Sequence, residues 1–149
     1  MKLVDTIATV LRRKPGDIFS ISPEATVYEA IEMLADKGIG ALLVMAEGKL
    51  VGILSERDYA RKVILKGKAS KETRVKEIMT SPVVFVAPNQ TVDDGMTLMT
   101  AKRIRHLPVV EGEKVMGMVS IGDLVKWIIS EQEVTIQQLE NYITGKYPG

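Results

Sequence analysis

Apolar positions along this chain change their spacing twice in the same order. Ile18-Phe-Ser-Ile21 reads as a strand. From Thr26-Val-Tyr-Glu29, a capping box, Val27, Ala30, Ile31, Met33 and Leu34 recur at helical spacing, and Gly38-Ile-Gly40 ends the helix. Ala41-Leu-Leu-Val-Met-Ala46 is a nearly continuous apolar run, as expected of a buried strand. Glu47-Gly48 is a turn, and Lys49-Leu-Val-Gly-Ile-Leu54 is its antiparallel partner. Ser55 opens a second helix through about Lys66, with Tyr59, Val63 and Ile64 as its apolar stripe. After the polar Gly67-Lys-Ala-Ser-Lys71 and the approach Val75-Lys-Glu-Ile-Met79, the order returns. It gives a strand at Val83-Val-Phe-Val86, a capped helix from Thr91, strands at Leu107-Pro-Val-Val110 and Val115-Met-Gly-Met-Val119, and a helix from Ser120.

Two flanks complete the plan. Val4, Ile7, Ala8, Val10 and Leu11 form a helical stripe stopped by Arg12-Arg13-Lys14-Pro15-Gly16, whose basic triplet is a solvated helix end or leans toward an anion. Val134, Ile136, Leu139, Tyr142 and Ile143 predict an added amphipathic helix that covers the rest or meets another chain. The expected division is a lead-in helix at 1–17, a first repeat at 18–66, a linker and approach at 67–82, a second repeat at 83–130, and a helix and tail at 131–149.

Residues 22–58 align with 87–123 without a gap, and 11 of the 37 positions are identical, including Pro23/Pro88, Thr26/Thr91, Gly52/Gly117, Ser55/Ser120 and Asp58/Asp123. Average composition would give roughly two or three. This is an internal repeat. One unit of about 60 residues is marginal as an isolated core, so the two are expected to pack face to face. Each repeat carries Gly-x-x-Ser-x-x-Asp where a strand turns into a helix, but Glu56-Arg57 in the first has become Ile121-Gly122 in the second.

Composition narrows the chemistry. The 149 residues are 46% apolar and 26% charged with a net charge of +1, which describes an ordinary globular chain without an overall field toward nucleic acid or membrane. No cysteine and one histidine leave no thiolate nucleophile and no histidine-rich metal site. The N-terminus lacks the apolar core of a signal peptide, and no apolar run approaches the roughly 20 residues of a membrane span; a cytoplasmic location is expected. Ser120 lies in Met118-Val-Ser-Ile-Gly122, which lacks the first glycine of a nucleophile elbow, and neither a Walker A loop nor Gly-x-Gly-x-x-Gly occurs. No catalytic residue and no catalytic cofactor are expected.

The Pro-x-x-Thr-Val start, the strand entry of which Ile104-Arg-His-Leu-Pro-Val109 is the fuller form, and Gly-x-x-Ser-x-x-Asp recur at one fixed offset. Together they resemble a tandem pair of cystathionine-β-synthase (CBS) domains, the Bateman module, of the stand-alone bacterial or archaeal type. The resemblance covers about residues 15–130. It implies a mixed α/β (α+β) fold of two β-α-β-β-α repeats packed through their sheets with pseudo-two-fold symmetry, plus the C-terminal helix. It also implies two related clefts for adenine nucleotides. The first takes Ile53, Ser55, Arg57 and Asp58 with Pro82, Val83, Val84, Ile104, Arg105 and His106. The second takes Met118, Ser120, Ile121 and Asp123 with Asp17, Ile18, Phe19, Ile39, Gly40 and Ala41.

The residue types suit such a ligand. A carboxylate can accept both hydroxyls of a ribose cis-diol, which is the role open to Asp58 or Asp123. Adenine takes apolar walls, and phosphate takes helix N-terminal amides, a hydroxyl and fixed positive charge. Arg57, Arg105 and His106 give the first cleft cations, where the second has Gly122, Gly40 and Ala41. A phosphorylated nucleotide is therefore expected in the first cleft, and the second is expected to be weaker, empty or used by a nucleoside-like group. The Ser-x-x-Asp turn is also an ordinary helix cap worth about 1 kcal/mol, and His106 is assigned phosphate contact rather than catalysis. The methionines at 33, 79, 96, 99, 116 and 118 read as core filler.

The expected function is a non-catalytic energy- or redox-sensing module, with AMP ahead of ATP and ADP and then NAD(H), acting as a homodimer and through a regulated protein partner. The competing reading is a constitutive interaction module with vestigial clefts. Nucleic-acid binding finds little support in near-zero charge and 5% aromatic residues.

Overall fold

The computed structural model describes residues 5–14 and 18–144. The chain mixes α and β elements in two repeats, as the periodicities predict. In order they are α1 (Ile7–Arg13), β1 (Ser20–Ile21), α2 (Val27–Lys37), β2 (Ala41–Ala46), β3 (Lys49–Ser55), α3 (Glu56–Tyr59), α4 (Val75–Ile78), α5 (Val92–Lys102), β4 (His106–Glu111), β5 (Lys114–Ser120) and α6 (Ile121–Thr144). Among the described residues, no helix is long and apolar enough to cross a membrane. The elements gather into two compact units, and neither is a single stretch of chain. One holds residues 16–85 and 108–117; the other holds 1–15, 86–107 and 118–149.

In the first of these units β1 runs parallel to β2, and β2 pairs antiparallel with β3. The β2–β3 turn forms because Glu47 and Gly48 both adopt positive φ, 52° and 76°, the twist a two-residue hairpin requires. The helix α2 starts on a complete capping box, Thr26 with Glu29, and stops at Gly38 in the left-handed region. Val27, Ala30 and Leu34 bury its inner face against Leu42, Val44 and Leu54 of the sheet, while Ile31 and Met33 pack at the margin. The segment expected to be a linker adds to this core through Val75 and Ile78, which are 0% and 1% exposed. It is tied to the start of α2 by Val27 N–H donating to Thr73 O at 2.8 Å and Val75 N–H to Ala25 O at 2.9 Å.

The other unit repeats that device with the lead-in helix. Ile7 N–H donates to Gln90 O and Val92 N–H to Asp5 O, both at 2.8 Å, which docks α1 at the start of α5. Trp127 on α6 then donates its indole N–H to Asp5 at 2.9 Å. Gly95 lets the helices approach, because a Cβ there would stand 3.2 Å from Ile7 and 3.3 Å from Leu124. The lead-in is thus part of the core of the second repeat's helices, with Ile7 and Leu124 fully buried. Val4 lies outside the described residues.

Four expectations change. The Val83–Val86 run does not form a strand, although Val86 is fully buried. The helix after Ser55 is α-helical only to Tyr59 and becomes a π-helical turn at Ala60–Ile64, so the 3.6-residue register fails and Ile64 is exposed beside buried Val63. The helix from Ser120 and the added tail helix are one continuous α6 of 24 residues, because nothing between Ser130 and Glu131 breaks it. Met116 faces solvent instead of filling a core, whereas Met99 is buried.

Candidate functional site

The first Ser-x-x-Asp turn is built where β3 ends. Ser55 caps α3, with Asp58 N–H donating to Ser55 Oγ at 3.2 Å and Ser55 N–H donating to Asp58 Oδ2 at 3.0 Å. Two further groups fix the carboxylate: Thr80 Oγ1 donates to Oδ1 at 3.2 Å, and the Lys62 ammonium lies 3.1 Å from Oδ1. Thr80 is placed there by a two-bond bridge to Ile53, Ile53 N–H to Thr80 O at 3.1 Å and Thr80 N–H to Ile53 O at 2.8 Å. The Asp58 side chain is only 12% exposed, whereas Lys62 is 43% exposed. Ser55, Thr80 and Lys62 together hold the carboxylate, and the Lys62 ammonium also donates to Ile78 O at 3.0 Å.

Gly52, the first residue of the motif, is demanded by packing. A Cβ there would come within 2.5 Å of Met79 Sδ, so the methionine preceding Thr80 fills the space a side chain would need. Beyond Thr80 the predicted residues Pro82 and Val83 line an open groove of about 420 Å³ together with Lys49, Leu50, Val51 and Phe85. Val84 is partly buried beside them. Ser55, Arg57 and Asp58 are not in the lining of that groove. Arg57 is exposed at the start of α3.

The second turn keeps the capping geometry and changes the partner. Ser120 N–H donates to Asp123 Oδ2 at 2.7 Å, and Asp123 N–H donates to Ser120 Oγ at 3.1 Å. The Lys14 ammonium takes the two acceptors that Thr80 takes in the first turn, a backbone carbonyl and the carboxylate. It donates to Asp123 Oδ2 and to Met118 O, each at 2.7 Å, and Met118 is the repeat equivalent of Ile53. Burial of Asp123 pushes its pKa up, but the Lys14 hydrogen bond and charge and the Ser120 bonds outweigh it, so the net displacement is downward.

Of the remaining expected residues, Gly40, Ala41 and Arg105 are tied to a turn. Gly40 O accepts from Glu56 N–H at 3.1 Å, and Arg105 O accepts from Ile121 N–H at 2.8 Å, so these equivalent residues each hold, through the backbone, the turn of their own repeat. Ala41 pairs with Ser55 across β2 and β3. Ile39 and Phe19 pack against the core, and Ile18 is half exposed. Arg105 is exposed, with Ile104 and His106 half-buried on either side, and His106 begins β4. Asp17 lies outside the described residues. Sequence reasoning missed three residues, Thr80, Lys62 and Lys14. Comparing equivalent positions also suggested that the second turn lacks a cation, and Lys14 corrects this. The signal for it was the basic triplet Arg12-Arg13-Lys14 at the end of α1, whose first reading was a solvated helix end and whose second was a lean toward an anion.

Comparison with known proteins supports this architecture. The CBS domain model matches twice, at residues 7–65 and 75–130. The CBS domain-containing protein CBSX3, mitochondrial, from Arabidopsis thaliana is 40% identical over 151 residues, spanning 95% of this chain and 73% of that protein. A putative signal-transduction protein with CBS domains from Burkholderia ambifaria superposes with a TM-score of 0.82 at 51% identity, covering 85% of this chain and 96% of that one. The CBS domain pair of protein MJ0100, solved in complex with 5′-methylthioadenosine and S-adenosyl-L-methionine, gives a TM-score of 0.73 at 27% identity over 86% of this chain and 98% of that one. With both repeats matched and the Ser-x-x-Asp turn built in each, this chain belongs to the CBS domain family as a tandem pair, a class of modules that are generally regulatory and ligand-binding.

Proposed function

We propose that this chain is a non-catalytic sensor of adenine nucleotides, with AMP as the preferred ligand and ADP, ATP and NAD(H) as weaker ones. The observation that carries the reading is the Asp58 carboxylate, 12% exposed and held by Ser55 and Thr80 at the end of a strand. Its orientation is fixed before any ligand arrives, so a ribose diol would meet a preorganised acceptor. The adenosine-containing ligands of the MJ0100 domain pair support the same class of ligand. In this reading Arg57, Arg105 and His106 meet the phosphate, an assignment that rests on their positions in the sequence motifs. Asp123 serves a second, weaker site.

Binding would act on partner or dimer contacts through unequal affinity for two states of the module, which is the only way a ligand can shift such an equilibrium. A homodimer is the working assembly in this proposal. The test is calorimetry of protein stripped of co-purified nucleotide, with AMP, ADP, ATP and NADH in turn, after a mass spectrum of what was removed. Heat with AMP strongest supports the sensor. Silence with all four at millimolar ligand sinks it and returns the chain to a constitutive interaction module.

A further inference from the structure

The helix α6 carries two stripes. Leu124 and Trp127 face inward and are buried. The other stripe, Val125, Ile129, Gln132, Ile136, Leu139 and Ile143, advances by four, three, four, three and four positions, and its apolar members are 40–81% exposed. That is the spacing of a seam between two helices, narrower than the face a helix lays on a domain core, and it runs for about 27 Å. Its second half lies outside the CBS match, which ends at residue 130. Residues 132–140 are all exposed, and Val134-Thr-Ile136 is a β-branched run of weak helix formers. A helix of that length is marginal in water until its apolar stripe is covered.

Residues 131–144 hold Glu131, Glu133 and Glu140 and no Lys or Arg, so an anionic lipid surface or a nucleic acid is a poor fit. We infer that the stripe is covered by α6 of a second copy of this chain, packed antiparallel. The inference gives a face to the homodimer proposed above and is independent of which ligand the module binds. One antiparallel register covers the stripe from end to end. Val125 meets Ile143 of the second copy, Ile129 meets Leu139, and Gln132 meets Ile136, each twice by symmetry. In that register Lys126, exposed beside the seam, faces Glu140 of the second copy, again twice, while Glu133 meets its own equivalent once on the axis. A parallel pair would set Gln132 against Gln132, and its flanking pairs, Ile128 with Glu133 and Thr135 with Glu140, join no opposite charges. Charge complementarity therefore selects the antiparallel pair. Of the two roles expected for the tail helix, covering the rest or meeting another chain, this is the second.

The experiment is sedimentation equilibrium of the full chain, wild type beside Leu139→Lys, Lys126→Glu and the double variant Lys126→Glu/Glu140→Lys, with circular dichroism to check that each stays folded. All three positions are exposed, so the fold should tolerate the changes. The wild type should be a dimer. Leu139→Lys, which puts an ammonium into the seam, should weaken it about a hundredfold. Lys126→Glu turns two attractive pairs into two repulsive ones and should weaken it about tenfold, and adding Glu140→Lys should restore most of that loss. A dimer indifferent to Leu139→Lys overturns this face and leaves the homodimer standing, whereas a wild type that stays monomeric overturns both. Lys126→Glu without effect, or a loss that Glu140→Lys does not recover, overturns the antiparallel register.

Discussion

Thr80 donates its hydroxyl to Asp58 across 3.2 Å, joining the segment that leads into the second repeat to the carboxylate of the first. Thr80 lies 22 positions beyond Asp58, and its own backbone is bridged to Ile53 in both directions. Thr80→Val keeps the shape and the bridge but removes the hydroxyl. The expected loss is about 1 kcal/mol of unfolding free energy, the net worth of one such bond. AMP affinity should fall several-fold as Asp58 loses its fixed orientation. Denaturant unfolding and calorimetry on the same variant check both, and an unchanged affinity would separate Thr80 from the site.

Gly52 is a packing requirement. Its replacement by alanine puts a Cβ within 2.5 Å of Met79 Sδ and 2.9 Å of Met79 Cγ, so the methionine must move out of the core margin. Gly52→Ala should cost about 1–3 kcal/mol, the usual penalty of overpacking. Met79→Ala in the same chain should recover part of that loss by making room. Thermal unfolding of the single and double variants decides it; a Gly52→Ala protein as stable as wild type would contradict the account.

The ion pair at Asp123 makes stability depend on acid. Its pKa in the folded state lies below the ordinary value of 3.8, so the folded protein binds a proton there less readily than the unfolded chain does. The stabilisation is fully present above the unfolded pKa and is lost as pH falls below about 4 through the lowered value. Lys14→Gln should raise the Asp123 pKa toward the ordinary value and flatten this part of the stability profile. Carboxyl-carbon NMR titration of Asp123 in both proteins reads the effect directly, and identical titrations would remove Lys14 as its cause.

Short-range chemistry was legible in the chain. Thr26 with Glu29 and Thr91 with Asp94 form the caps expected of them, and Glu47-Gly48 makes the hairpin turn, because each depends on residues within three positions. The repeat itself revealed the family. The Val83–Val86 run shows where such reading stops: a strand exists only with a ladder partner, and the pairing of β3 on that side ends at Thr80, before Pro82, which has no N–H to give. At the site, Ser55 with Asp58 and Ser120 with Asp123 were readable as local pairs. Thr80 and Lys14 were not, since their roles arise from contacts 22 and 109 positions away.

The assignment of the ligand's two ends predicts a graded response to substitution. Asp58→Ala removes the proposed ribose acceptor and Arg105→Ala a proposed phosphate contact; each should weaken AMP binding at least tenfold. Asp123→Ala should weaken overall binding less, because at the positions equivalent to Arg57, Arg105 and His106 the second cleft has Gly122, Gly40 and Ala41. Equal losses at Asp58 and Asp123 would refute that asymmetry.

The central claim, that Asp58 anchors a nucleotide, is tested most directly by calorimetric titration of AMP into nucleotide-free wild type and Asp58→Ala. The account predicts saturable heat in the wild type and at least a tenfold weaker isotherm in the variant, the loss of a charge-assisted contact. Wild type and variant binding AMP alike, or no heat in the wild type at millimolar AMP, would contradict it.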